Sequence, residues 1–157
     1  MLREKVRVAM SSFKQRLMLR FVNIWPPIAG AGIRVRWGDD MKSADVQMKL
    51  HFWNRNFVGT HYGGSLYSMT DPYYMLLLIK NLGPGYIVWD KTANIRFRKP
   101  GQGRVRAEFR LTDAQLDDIR EQLNTLPKYE PTFIVEVKDE AGDVVAEVQK
   151  VLHIRKK

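Results

Sequence analysis

The stretch "GTHYGGSLYSMTDPYYMLLLIKNLGPG" (residues 59–85) decides the fold, because it predicts a long helix that is apolar almost all round. Between Tyr62 and Ile79 nearly every residue is apolar, small or hydroxylated, and "NLGPG" supplies a glycine C-cap followed by a proline. A helix of this composition must be covered on every side. One carboxylate, Asp71, nevertheless stands at its centre, directly before Pro72.

The segments on both sides of this helix change to a period of two residues, which indicates antiparallel strands with one wet face. Asp39 and Asp40 join the first two strands, and we interpret this pair as turn chemistry rather than as a metal site. On the apolar face of the third strand we expect Trp89, Ala93, Ile95 and Phe97. The predicted strands are "IRVRW" (33–37), "ADVQMKL" (44–50), "YIVWDKTANIRFRKP" (86–100), "RVRAEFRL" (104–111), "PTFIVEVKD" (131–139) and "DVVAEVQKVLHIRKK" (143–157).

The 157 residues of the chain are enough for one domain with a core of its own. We predict an α+β fold, a curved antiparallel sheet of five to six strands wrapped around the long central helix. The core is expected to span 28–157, with a helical insertion near 112–124 that begins at a capping box of Thr112 and Gln115. An extra amphipathic helix precedes the core over 1–27 and stops at a pair of prolines.

The composition limits the classes of function. The chain has no cysteine, which excludes disulfides, thiolate zinc sites and a cysteine nucleophile. His51, His61 and His153 lack metal-ligand spacing, so we expect no metal. The net charge is +9, and its excess of Lys and Arg lies in 1–36 and 94–110. No apolar run has the length of a membrane span and no secretory signal stands at the N-terminus, so we expect a cytoplasmic protein.

Two segments, "NFVGTHYGGSLYSMTD" and "IRFRKPGQGRVRAEF", resemble the hotdog-fold acyl-CoA thioesterases of the phenylacetic-acid-degradation type. They are most similar to a branch catalogued mainly as a domain of unknown function. The family motif contains an asparagine, a glycine, a His-Gly-Gly triplet and an acid seven residues further on. Asn56, Gly59, Gly63, Gly64 and Asp71 fall on these positions. Tyr62 occupies the histidine position, and His61 lies one residue earlier.

The resemblance implies hydrolysis of an acyl-CoA or acyl-carrier-protein thioester, with coenzyme A as part of the substrate and no other cofactor. The backbone N–H of Gly64 would polarise the thioester carbonyl, since N–H groups in a first helical turn lack intrahelical partners. Asp71 would attack the carbonyl or deprotonate water. Asn56 would orient the carbonyl or that water, although it is equally well explained as a turn residue. The candidate substrate-binding residues are His61, Tyr62, Gly63, Ser65, Ser68, Arg96, Arg98 and Lys99.

The spacing between the two principal candidates predicts an obligate dimer. Gly64 and Asp71 are seven residues apart, so on a continuous helix they share a face but are separated by roughly 10 Å. Two antiparallel copies of the helix would bring Gly64 of one chain to Asp71 of the other. The resemblance also places the site at a dimer interface, and two dimers could pair into a tetramer.

Other functions compete with hydrolysis. A non-catalytic protein that binds an acyl or CoA ligand is favoured by Tyr62 at the histidine position. The basic segments also suit a module for lipid or nucleic acid built around the N-terminal helix. We expect no nucleic acid, because Trp37 and Trp89 fall on predicted apolar strand faces. We expect the N-terminal helix to pack on the domain or a partner subunit rather than on a membrane.

Overall fold

Six antiparallel strands form one sheet in the computed structural model, which describes residue 19 and residues 21–157. The strands are β1 (Ile33–Trp37), β2 (Ser43–Lys49), β3 (Tyr86–Phe97), β4 (Arg104–Arg110), β5 (Thr132–Lys138) and β6 (Val144–Lys156). Their order across the sheet is β1-β2-β4-β5-β6-β3, and every neighbouring pair is antiparallel. β1 and β3 are therefore the two edges of the sheet.

The central helical segment is divided in two. The helices of the described residues are α1 (Pro26–Gly30), α2 (Gly63–Ser68), α3 (Tyr73–Leu82) and α4 (Asp113–Thr125). α2 and α3 occupy the stretch predicted as one helix, and the four residues from Met69 to Pro72 interrupt it. Pro72 accounts for the interruption because it has no N–H to continue the helical hydrogen bonding. At the other end Gly83 adopts a φ of 86°, so the predicted glycine C-cap is confirmed.

The curled sheet wraps around this helical segment, and the core lies between them. Tyr73 packs its ring against Trp37 of β1 and Phe109 of β4, with ring centroids 5.8 and 5.0 Å away. Tyr74 stacks on Phe133 of β5 at 4.3 Å. One turn of α3 therefore touches three strands of the sheet. This architecture confirms the predicted hotdog fold.

Most of the predicted local signals are confirmed. The inward positions of β4, Val105, Ala107 and Phe109, are fully buried. The Thr112 hydroxyl oxygen accepts from the main-chain N–H of Gln115, and the Thr112 N–H donates to the Gln115 side-chain oxygen, so α4 begins with the predicted capping box. In the turn between β1 and β2, the Asp40 carboxylate accepts from the Lys42 N–H at 2.9 Å.

The prediction that Trp89 lies on the apolar face of β3 is wrong. The pairing of β3 with β6 shifts register between Asp90 and Thr92, so β3 contains a bulge at this point. The extra residue reverses the alternation of inward and outward side chains along β3. Asp90 and Ala93 therefore lie on the same inner face, although they are three positions apart. Trp89 is left outside, 41% exposed, with its ring stacked on His153 at 4.0 Å.

The edge strand β3 is poorly covered within one chain. It pairs with β6 on one side only. On its inner face Ala93 is exposed and Phe97 retains 56% of its accessible surface. A strand of twelve residues with an open edge and exposed apolar side chains is a surface on which another chain can pair.

The predicted N-terminal amphipathic helix lies outside the described residues for 1–18. Val22–Ile24 form a short 3-10 turn, and Pro26 and Pro27 begin α1 rather than only ending a helix. Proline is well suited to a first helical turn, where its missing N–H would have no acceptor. Among the described residues we find no helix of the length and hydropathy needed to cross a membrane.

A carboxylate site at the interruption between two helices

Asp71 lies in the interruption between α2 and α3. The sequence predicted a buried carboxylate, but the Asp71 side chain is 48% exposed in the single chain. The interruption after α2 turns this residue toward the surface. Within the described part of the chain, both side-chain hydrogen bonds that it accepts end on Oδ1. Because the side chain is half-exposed, the carboxylate can be reached by a substrate, by water or by another subunit.

A fully buried lysine, Lys150 of β6, holds Asp71 in place. Its Nζ lies 3.2 Å from Oδ1 of Asp71 and donates to the main-chain carbonyls of Thr70, at 3.2 Å, and of Asp71 itself. The same ammonium group forms an ion pair of 3.0 Å with Oδ1 of Asp90. One cation therefore joins the helix interruption to the bulge in β3.

Tyrosines and a second acid complete the surroundings of Asp71. The Tyr67 hydroxyl donates to Asp71 Oδ1 at 3.2 Å. Burial, followed by the nearby Asp71 charge, raises the pKa of Tyr67 to about 12, so this hydroxyl keeps its proton. The same two causes raise the pKa of the fully buried Tyr73. Burial also raises the pKa of Asp90, and Lys150 opposes that rise.

Lys150, Asp90 and Tyr67 were not predicted as site residues, and Lys150 is the one for which the sequence offered a signal. It stands in phase with Val148, Leu152 and Ile154, and all four are buried. A lysine at an inward position of an alternating strand is unusual, because buried lysines require a partner. That break in the pattern of "VQKVLHI" (148–154) was the available signal.

The predicted oxyanion site lies at the start of α2. The first intrahelical bond runs from the Leu66 N–H to the Tyr62 carbonyl at 3.0 Å. The preceding N–H groups of Gly63, Gly64 and Ser65 have no intrahelical acceptor and point out of the helix end. A Cβ on Gly63 would lie 3.0 Å from the Phe97 ring, so glycine permits close approach here.

Tyr62 covers part of this helix start. The side chain is 59% exposed, and its ring lies so close to Gly64 that a Cβ there would collide with it.

The two candidate serines differ from each other in role. Ser68 donates its hydroxyl to the Gly64 carbonyl at 2.9 Å, which stabilises the short helix. Ser65 is half-buried, and its carbonyl accepts from the Met69 N–H at 3.0 Å.

Asn56 organises the loop that leads into α2. Its amide donates to the Thr60 hydroxyl at 2.9 Å and to the His61 carbonyl at 3.4 Å. Its carbonyl oxygen accepts from the N–H groups of Val58 and Thr60. These four contacts use the hydrogen-bonding capacity of the side chain, which favours the turn interpretation of Asn56 over direct contact with a substrate.

His61 is buried behind this loop. The ring nitrogen Nε2 lies 3.1 Å from the Gly103 carbonyl, and the main-chain N–H of His61 donates to the Gly101 carbonyl at 2.9 Å. Nδ1 is buried without a partner among the described residues. Burial lowers the pKa of His61, and the Gly103 contact opposes this. The imidazole therefore ties the loop to the turn before β4.

The three basic candidates at the end of β3 have different surroundings. Lys99 bridges Asp139 and Asp143 at 2.6 Å each, and these contacts raise its pKa. Arg98 pairs with Glu147 at 3.2 Å. Arg96 is exposed to solvent. Arg96 is thus the most available of the three for an added anion.

The contacts sort the candidates into separate groups. Tyr62, Gly63 and Gly64 lie at the start of α2, and Ser68 at its end bonds back to Gly64. Asp71 contacts Tyr67 and Lys150 beyond the end of α2, and Asp90 shares Lys150 with it. Asn56 and His61 belong to the supporting loop. Over residues 21–157 no group of three or more potential ligands could hold a metal ion.

Comparison with known proteins identifies the family. Residues 14–154 match the family described as "Domain of unknown function (DUF4442)". The chain belongs to this family. No curated protein matches the sequence. The predicted membership of a family of unknown function is therefore confirmed, while the DUF4442 description itself names no activity.

Solved structures share the fold of this DUF4442 chain. A protein of unknown function from Pseudomonas aeruginosa, described as a "Probable Thioesterase", has a TM-score of 0.77 and 21% identity, covering 90% of this chain and 95% of that chain. A protein of unknown function from Chlorobaculum tepidum has a TM-score of 0.71 and 16% identity, with coverages of 94% and 95%. A thioesterase from Haemophilus influenzae has a TM-score of 0.58 and 13% identity, with 82% of each chain covered.

Proposed function

We propose that the protein is a thioesterase that hydrolyses an acyl-CoA, or the equivalent acyl-carrier-protein thioester. The observation that carries the proposal is the state of Asp71. Its Oδ1 accepts hydrogen bonds from a buried lysine and a tyrosine, and the side chain as a whole is half-exposed. A carboxylate that is oriented by hydrogen bonds and still reachable from solvent suits a nucleophile or a general base.

A homodimer would assemble the complete site. Gly64 lies in the first turn of α2 and Asp71 follows its end, so the two groups lie at opposite ends of one short helix. A second copy in antiparallel orientation would bring its own Asp71 to Gly64. The open edge of β3 and the exposed Phe97 beside Gly63 support pairing at this surface. Pairing of two such dimers would give a tetramer.

In the proposed reaction the thioester carbonyl accepts a hydrogen bond from the Gly64 N–H, which stabilises the oxyanion as it develops. Asp71 of the partner subunit takes a proton from water, and the hydroxide adds to the carbonyl carbon. The tetrahedral intermediate collapses with cleavage of the carbon–sulfur bond, and Asp71 returns its proton to the departing thiolate. The products are the carboxylic acid and the free thiol of coenzyme A. In the alternative with Asp71 as nucleophile, an anhydride forms first and water then hydrolyses it.

The remaining candidates would bind the substrate around this centre. Tyr62 and Ser65 flank the Gly63-Gly64 backbone, and Ser68 and His61 maintain its geometry through their own hydrogen bonds. Arg96, with Arg98 and Lys99 beside it, would bind the phosphates of coenzyme A. Coenzyme A would be part of the substrate rather than a separate cofactor.

The test is thiol release from short, long and aryl acyl-CoAs by the wild type, Asp71→Asn and Asp71→Ala. We expect turnover to fall by two or more orders of magnitude in both variants while the oligomer stays intact. Asp117→Asn is the matched control, because Asp117 is an exposed aspartate that pairs with Arg120. If the wild type hydrolyses none of the panel, the proposal is wrong.

A non-catalytic ligand-binding protein is the second candidate, favoured by Tyr62 at the position where the motif has histidine. The same panel separates the two functions. An acyl-CoA that binds the wild type and is recovered uncleaved after hours would establish binding without hydrolysis.

A further inference from the structure

Lys150 is a buried cation that the proposed reaction does not itself use. It stands on the inner face of β6 and is fully buried, in phase with the apolar Val148 and Leu152. Packing alone would be served by another apolar side chain at this position. A lysine at this position therefore indicates a polar role, and its contacts show where that role is exerted.

The contacts of Lys150 converge on one residue. Its Nζ donates to the main-chain carbonyl of Asp71 and also to the Asp71 carboxylate. Binding both groups restricts rotation about the bond between the backbone and the side chain of Asp71. The contact to the Thr70 carbonyl fixes the preceding peptide as well. The direction of the Asp71 carboxylate is therefore set from β6.

Lys150 is shared with a second acid. Asp90 lies 3.0 Å from the same ammonium group, and the β3 bulge turns it to the inner face. Two carboxylates compete for one cation, so the Asp71 charge is only partly compensated. A fully compensated carboxylate would be a weaker base and a weaker nucleophile.

We propose that Lys150 is a positioning residue for Asp71, which keeps the carboxylate directed outward while Asp90 shares the same ammonium group. The proposed catalytic role of Asp71 rests on the proposed function, but the electrostatic relationship among the three residues does not. The other titratable groups that face Asp71 in the described chain are Tyr67 of α2 and Tyr73 of α3.

A purely structural role for Lys150 would be different. In that role, Lys150 would only donate hydrogen bonds to the main-chain carbonyls of Thr70 and Asp71 at the helix interruption. Loss of that role would lower stability without changing how the Asp71 carboxylate titrates. The two roles are therefore distinguished by the protonation of Asp71 itself, which can be followed without any substrate.

The test is the pH titration of aspartate side-chain carboxyl carbons by ¹³C NMR, with the Asp71 signal assigned by its loss in Asp71→Asn. In Lys150→Met, we expect the Asp71 midpoint to move to higher pH by about 1 to 3 units, since an adjacent opposite charge has that effect on a carboxyl. In Asp90→Asn, which retains the lysine, we expect the midpoint to move to lower pH. Lys156→Met is the matched control on the same strand, where an exposed lysine contacts Asn124.

Opposite shifts in Lys150→Met and Asp90→Asn would support the proposal, and an unmoved Asp71 midpoint in both would overturn it. If Lys150→Met does not fold, Asp90→Asn decides alone, and a midpoint that stays or rises there would overturn the proposal.

The activity measurement is separate. If the wild type is active, the acid limb of kcat/KM should move with the NMR midpoint in each variant. If it is inactive, only the proposed hydrolysis fails, and the titration still tests the positioning role.

Discussion

The hydroxyl of Tyr67 donates a hydrogen bond of 3.2 Å to Oδ1 of Asp71, one helical turn further along the chain. Tyr67→Phe removes this donor and leaves Lys150 as the remaining support of the carboxylate. A hydrogen bond to a charged group contributes about 1.5 kcal/mol, so we expect kcat for thioester hydrolysis to fall about tenfold. The measurement is steady-state thiol release across pH.

Tyr129→Phe is the control for this prediction, because the Tyr129 hydroxyl donates to Asp118 away from the helix interruption. Equal kcat values for Tyr67→Phe and the wild type would show that Tyr67 does not act on the reacting carboxylate.

Mixed dimers test whether the site is shared between chains. Gly64→Val obstructs the α2 start, where a Cβ already collides with the Tyr62 ring, and Asp71→Asn removes the acid. When the two variants assort at random, about half of the dimers contain one chain of each. Each mixed dimer has one intact site out of two, so activity should return to about a quarter of wild type. A mixture of Asp71→Asn with Asp71→Ala should remain inactive. Absence of recovery in a verified mixed dimer would place both groups in one chain's site.

Arg96 is expected to contribute to binding of the coenzyme A phosphates. Arg96→Ala should raise KM for an acyl-CoA roughly fivefold, about 1 kcal/mol for an exposed charge contact. KM for the matching pantetheine thioester, which lacks the nucleotide phosphates, should not change. Arg106→Ala, an exposed arginine of β4, is the control. An equal increase for both substrates would argue against phosphate recognition by Arg96.

Burial of His61 makes stability depend on pH. Its pKa in the folded protein is lowered by burial, so the unfolded chain binds this proton more readily. The stabilisation is fully present above the unfolded value of about 6.5 and is lost as pH falls through the lower folded value. We expect the free energy of unfolding in urea to decline below about pH 6.5. His61→Gln should show a shallower decline over that range, and an unchanged decline would assign it to other groups.

Tyr73 offers a prediction of increased stability. Its hydroxyl is buried and lacks a hydrogen-bond partner among the described residues. Tyr73→Phe removes an unsatisfied polar group without changing the packing of the ring, so the free energy of unfolding should rise by about 1 kcal/mol. Urea denaturation measures this, with Tyr129→Phe as a control that loses a satisfied hydroxyl. A loss of stability in Tyr73→Phe would show that the hydroxyl has a partner in the assembled oligomer.

The fold could be predicted because its signals are local. Alternation in β4, the capping box at Thr112 and the glycine after Leu82 each depend on a few neighbouring residues, and all three are confirmed. The exposure of Trp89 could not be predicted in this way. A bulge two residues further along β3 reverses the faces, and it depends on pairing with a strand more than fifty residues later.

The candidate site was predicted less completely than the fold. Asp71 was recognised because a single charge in an apolar stretch is visible in the sequence. Its partners Lys150 and Asp90 come from two other strands, and no spacing rule links them to residue 71. The phase of Lys150 on β6 indicated an inward side chain, but only the three-dimensional structure shows which acids it contacts.

The ion pair between Lys150 and Asp71 joins residues 79 positions apart, which has a consequence for synthesis of the chain. Everything from the helix interruption through β5 is translated before the lysine exists. Until then Asp71 and Asp90 lack their cation, and the nascent sheet lacks the strand that joins β5 to β3. Contacts of such long sequence separation form late because closing a long loop costs entropy. The carboxylate therefore acquires its final orientation among the last steps of maturation.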